Sequence, residues 1–162
     1  MRPALIAVAA LGAAAAALAL AVLPGAAEPV RLRPDDPAEV ALGARIYAES
    51  CAACHGARLE GQPRWREPGP DGLRPAPPHD ATGHTWHHDG ATLFALTRDG
   101  LEALLGDAAP ETGMPAFAGL LTDAEIRAAL SYIKSTWPPE IRARHDAIDA
   151  AAAEAADRET RP

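Results

Sequence analysis

The chain has 162 residues, with 15 basic against 22 acidic side chains, sixteen prolines, and only two residues each of Phe and Tyr. That length holds one modest domain plus tails, and so few large side chains predict a small, loop-rich core. A net charge of −7 excludes general nucleic-acid binding, which draws its affinity from Lys and Arg set against phosphates, and suits a partner with a basic docking face.

Residues 1–27 come first as a separate unit. No charge lies between Arg2 and Glu28, and Ala4 to Leu23 is a run of twenty apolar or glycine residues. A basic residue ahead of an apolar run, with small residues behind it, is an export signal. A cleaved signal carries an apolar stretch of about 7–15 residues, whereas a bilayer span takes about 20, so length favours a retained anchor. The alanine content and Gly25-x-Ala27 keep cleavage open as the alternative. Either outcome places the rest of the chain outside the cytoplasmic membrane.

Residues 28–36 read as a charged linker. Asp36 followed by Pro37 predicts a capped helix start, running from Ala38 to Ser50 with Val40, Gly43 and Tyr47 on one face. This helix delivers the chain to S-C-A-A-C-H-G at 50–56, where Cys51 and Cys54 are the only cysteines. Residues 62–88 hold six prolines and three glycines, which excludes regular helix and predicts a long irregular excursion. Asp89 then caps a short helix, Gly90 to Asp99, with Gly100 as its stop.

A second loop, Gly106 to Leu121, contains G-M-P-A-F around Met114, with Asp107 and Glu111 read as solvent-facing. Thr122 and Glu125 form a capping box ahead of Ile126, Leu130, Ile133 and Trp137, which recur at helical spacing until Pro138-Pro139. Residues 138–162 are rich in alanine and charge, with Ile141 and Ile148 the only sizeable aliphatic residues. They read as a solvated, partly helical tail with little to dock it. No repeat and no strand pattern is visible, so the expected class is all-α.

Three chemistries use a pair of cysteines at this spacing. A redox disulfide sits at the start of a helix after a strand in a βαβ frame, and no strand pattern surrounds this pair. A zinc site needs four ligands, which Cys51, Cys54 and two of His79, His84, His87 and His88 could supply, leaving His55 without a purpose. The full spacing C-x-x-C-H is the attachment motif of c-type haem: two thiols form thioethers with the two vinyl groups of one porphyrin, and the next residue is held under the iron. A second axial ligand is then needed for electron shuttling, and a thioether favours Fe(II) and raises the potential. Met114 is the only methionine besides the initiator.

With C-A-A-C-H-G, G-M-P-A-F and the terminal helix L-S-Y-I-K, the chain from about Pro37 to Trp137 resembles the small bacterial monohaem cytochromes c. The resemblance implies three main helices around one covalent haem c, bound by Cys51 and Cys54 with His55 and Met114 as axial ligands. It implies that Gly43 and Tyr47 cross Leu130 and Ile133, and that a backbone carbonyl near Pro63 or Pro68 holds the His55 ring. Val40, Tyr47, Leu93, Phe94, Phe117, Leu130 and Ile133 are expected to cover the porphyrin. On this division residues 37–137 are the cytochrome c domain and 138–162 the tail.

The implied function is one-electron transfer without substrate chemistry, on the periplasmic side of the bacterial inner membrane. Expected partners are redox proteins: a quinol-oxidising complex, a terminal oxidase or a periplasmic dehydrogenase, met by a monomer. Alternatives remain a haem sensor or small haem catalyst with a labile sixth ligand, or a metal-handling protein. The last would use His79, His84, His87 and His88, since imidazole suits copper or zinc. The same histidines are otherwise read as a loop over the haem edge, bonded to propionates or backbone, or as the source of a sixth ligand in place of Met114.

Overall fold

The computed structural model describes residues 30–161. The export segment 1–27, and the start of the linker, lie outside the described residues. Six α-helices follow in chain order: α1 Pro37–Ser50, α2 Ala52–His55, α3 Gly90–Asp99, α4 Leu101–Leu105, α5 Asp123–Ser135 and α6 Pro139–Thr160. Single 3-10 turns occur at Thr85–His87 and Gly106–Ala108. Among the described residues the only β-type pairings are isolated bridges, Arg74 with Thr112 and Ala118 with Leu121. The fold is all-α, and none of the described helices is long and apolar enough to cross a membrane.

Local sequence sets the helix starts. The Asp36 carboxylate accepts from the backbone N–H of Ala38 and Glu39, with Pro37 at the first position, so orphan donors of the first turn are satisfied. Asp89 does the same for α3 through Thr92 N–H. At α5 the Thr122 hydroxyl accepts from Glu125 N–H while the Glu125 carboxylate accepts from Thr122 N–H, the reciprocal box the sequence predicts. Gly100 ends α3 at a φ of 88°, a left-handed conformation that costs glycine little.

The frame is the crossing of α1 and α5. A Cβ on Gly43 would overlap the Ala128 carbonyl and stand 2.8 Å from Tyr132 Cβ, so the two backbones touch where only glycine fits. Beside this contact the Tyr47 and Tyr132 rings lie 5.5 Å apart. Opposite Gly43 stand Ala128 and Tyr132 in place of the expected Leu130 and Ile133, which do pack in one cluster with Tyr47. Each helical residue turns about 100°, so Leu130 points about 200° away from Ala128, into the interior with Ile126 and Ile133. There they pack with Leu32, Tyr47, Leu59, Leu93, Phe117 and Trp137.

Two segments depart from expectation. From Val30 onward the supposed linker is a strap on the body: Leu32 is in the core, and Arg33 N–H donates to Ser131 Oγ at 2.9 Å. Ser131 in turn donates to Glu39 at 2.8 Å. The supposed loose tail is a continuous helix whose first half is docked. His145 is fully buried against Trp137, ring to ring at 5.1 Å, and Lys134 Nζ lies 2.7 Å from Asp146 and 3.1 Å from Asp149. Asp149 also accepts from Gly90 N–H at 2.7 Å, capping α3 from another helix. The docking is mainly polar, which is why a search for aliphatic residues misses it.

Candidate haem site

Cys51 both ends α1 and starts α2, its N–H donating to Tyr47 O at 2.9 Å. The next turn closes through Cys54 N–H and His55 N–H, both donating to Cys51 O. One helical turn brings positions i, i+3 and i+4 to the same side, and Cys51, Cys54 and His55 all line one cavity of about 500 Å³. Both thiols are unpaired. Burial, and then the neighbouring Cys54, push the Cys51 thiol up to about 11. A working redox disulfide needs the reverse, a stabilised thiolate, so the local electrostatics oppose that chemistry.

His55 is buried and its Nδ1 lies 2.8 Å from the carbonyl of Pro77. A carbonyl can only accept, so Nδ1 carries the proton and Nε2 keeps its lone pair for a metal. Burial lowers the imidazole's pKa, with the Pro77 bond pulling partly the other way, which favours the neutral form that a metal ligand needs. The orienting carbonyl is thus not near Pro63 or Pro68. Gln62 and Ala76 close the neck of the intervening loop, Gln62 N–H to Ala76 O and Ala76 N–H to Gln62 Oε1, both at 2.8 Å. The chain therefore returns to His55 only at Pro77, after the excursion.

Against the His55 ring lies His79, stacked on it with centroids 3.8 Å apart and planes 17° from parallel. Its backbone is held at both ends: N–H donates to Leu59 O and its carbonyl accepts from Trp137 Nε1, each at 2.8 Å. Burial, then His55 and His84, keep its pKa well below the usual histidine range, and its buried Nδ1 meets no hydrogen-bond partner among the described residues. Tyr47 completes the support. Its hydroxyl donates to Gly56 O at 3.0 Å with His55 O also in reach at 3.3 Å, and burial above all raises its pKa, so it stays a donor.

Met114 is on the same cavity wall, together with Leu93, Phe117, Leu130 and Ile133. Val40, Tyr47 and Phe94 do not line it, contrary to expectation. Tyr47 is spent on the helix crossing and the His55 turn, and Phe94 packs from outside against the core. Of the four loop histidines, His79, His84 and His88 border the cavity and His87 does not. His87 stacks on Trp86 at 3.7 Å, while His84 stacks on Trp65 at 5.1 Å and meets His88 edge-on at 5.5 Å. The four do not converge as a metal set. Among the described residues the one group of three ligand-type side chains within mutual reach is His145, Asp146 and Asp149, where the Lys134 ammonium already serves as the cation.

Sequence reasoning missed Pro77, Trp137 Nε1 and the Tyr47 hydroxyl. Only the run P-A-P-P-H at 75–79 carried a signal for the first, as a stiff approach to a turn. The donor set fits a covalent porphyrin: two free thiols one turn apart, an imidazole anchored at Nδ1, a thioether and an apolar wall around a cavity of ligand size. An all-α body built around such a cavity defines a protein that carries covalent haem. The chain belongs to the cytochrome c family, whose model matches residues 40–137. Its cofactor is haem c, bound through Cys51 and Cys54, and the family's chemistry is haem-based electron transfer. No solved structure matches the chain.

Proposed function

We propose that the protein is a one-electron carrier on the periplasmic side of a bacterial inner membrane, with His55 and Met114 as the axial ligands. The haem supplies the Fe(III)/Fe(II) couple. The protein's residues do the rest: Cys51 and Cys54 anchor the group, Pro77 and His79 hold the His55 ring in one orientation, and Met114 offers a ligand that favours the reduced state. Leu93, Phe117, Leu130 and Ile133 exclude water, which limits the reorganisation that accompanies each electron. The single observation that carries this reading is the common cavity lined by Cys51, Cys54, His55 and Met114.

The exported location is supported by the apolar run at 4–23. If that segment is retained, it confines the carrier near membrane partners and raises encounter frequency. The redox partners proposed are a quinol-oxidising complex, a terminal oxidase or a periplasmic dehydrogenase, in small and transient contacts. Met114→Ala tests the ligand set. The variant is expected to lose the sulfur-to-iron charge-transfer band of the ferric form, to bind carbon monoxide when ferrous, and to fall in potential. A variant spectrum with the band intact would remove Met114 from the iron.

A further inference from the structure

From Asp99 to Glu125 the chain holds six acidic side chains and no Lys or Arg. The three large apolar side chains left exposed among the described residues, Leu104, Leu105 and Leu120, fall in the same stretch. α4 has no buried residue at all. Single exposed leucines are ordinary, but here all of them lie in one charge-biased segment.

That segment is continuous with the haem site. Thr112 to Pro115 and Phe117 form part of the cavity wall, and Phe117 N–H and Ala118 N–H fasten it to α3 through Thr97 O and Arg98 O. Arg74 N–H holds its far side through Glu111 O at 3.1 Å. Three of the acids are already engaged: Arg98 lies 3.4 Å from Asp99 and 3.2 Å from Asp123, and Glu125 is in the capping box. Glu102, Asp107 and Glu111 are exposed, and none takes part in an ion pair among the described residues. Elsewhere the charges are mixed. Residues 58–74 interleave four arginines with Glu60, Glu67 and Asp71, and on outer α6 Arg158 faces Glu154 at 3.8 Å.

We infer that residues 101–121 form the face through which the protein exchanges electrons, and that its occupant is a redox protein presenting Lys and Arg side chains around an apolar centre. This rests on the electron-carrier reading. An apolar patch inside a charged rim is the usual anatomy of an interface, and opposite charge supplies orientation and encounter rate more than affinity. One electron leaves this chain and reduces the acceptor by one, and no bond forms or breaks.

The test is stopped-flow oxidation of the ferrous full-length holoprotein by two probes, a lysine-rich ferric cytochrome c and ferricyanide. Glu102→Lys/Asp107→Lys/Glu111→Lys is compared with a control of equal charge change on outer α6, Glu154→Lys/Asp157→Lys/Glu159→Lys. The first variant is expected to slow the lysine-rich probe about tenfold at low salt and to speed ferricyanide, the control changing either by less than about threefold. Leu104→Ser/Leu105→Ser should slow the protein probe about threefold and leave ferricyanide unchanged. Equal effects of the two triple variants, or no effect of either, would overturn the assignment of this face. Wild-type holoprotein that ferricyanide cannot oxidise would instead defeat the electron-carrier reading.

Discussion

At the scale of single residues, the control of one imidazole stands out. His55 is bonded at Nδ1 to Pro77, covered on its face by His79, and fixed in its backbone by Tyr47. Three independent contacts leave the ring one orientation. On the proposed ligation, His79→Leu should retain haem and both axial ligands yet change or broaden the ferric electron paramagnetic resonance g-values, which report the orientation of the imidazole plane. Unchanged g-values would mean that His79 only fills space. The haem-attachment pattern was legible in C-A-A-C-H, because the motif is local; the residues that steer its histidine were not, because Pro77 and His79 lie more than twenty positions downstream and meet it only in the folded chain.

At the scale of elements, caps and breakers placed α1, α3 and α5 correctly, since those signals act within a few residues of the helix end. What failed was the assignment of partners. The α1–α5 contact was foreseen for Gly43, but the opposing residue follows from helix rotation in three dimensions and proved to be Ala128. α6 was underestimated because its anchors are His145, Asp146 and Asp149, residues that look solvated in sequence. In the structure burial would raise the Asp149 carboxyl, yet His145, the Gly90 N–H and Lys134 hold it down at about 2. A depressed carboxyl stabilises the fold above its ordinary range near 3.8 and loses that contribution as pH falls towards 2. Asp149→Asn is therefore expected to cost about 2 kcal/mol at pH 7, below the range of about 3–5 kcal/mol for breaking a fully buried pair, because Asp149 is partly exposed and Asp146 still faces Lys134. The gap between wild type and variant should shrink when denaturant unfolding is repeated near pH 2.5. A gap that persists there would assign the docking to packing alone.

At the scale of the whole molecule, a body of short helices encloses a cavity of about 500 Å³, and most of its chemistry-bearing side chains face that space. Supporting it are a strap before α1 and a helix after α5, neither of which the sequence separates from a linker or a tail by composition. The charge distribution gives one more whole-molecule feature, an acidic and leucine-bearing segment beside Met114 set against mixed charge elsewhere. All of these features take their purpose from a porphyrin joined to Cys51 and Cys54. The most direct measurement is the intact mass of the mature protein from a host competent in haem ligation, combined with thiol alkylation. The account predicts polypeptide plus one haem, with neither cysteine alkylated; a mass of bare polypeptide with two alkylated thiols would contradict it.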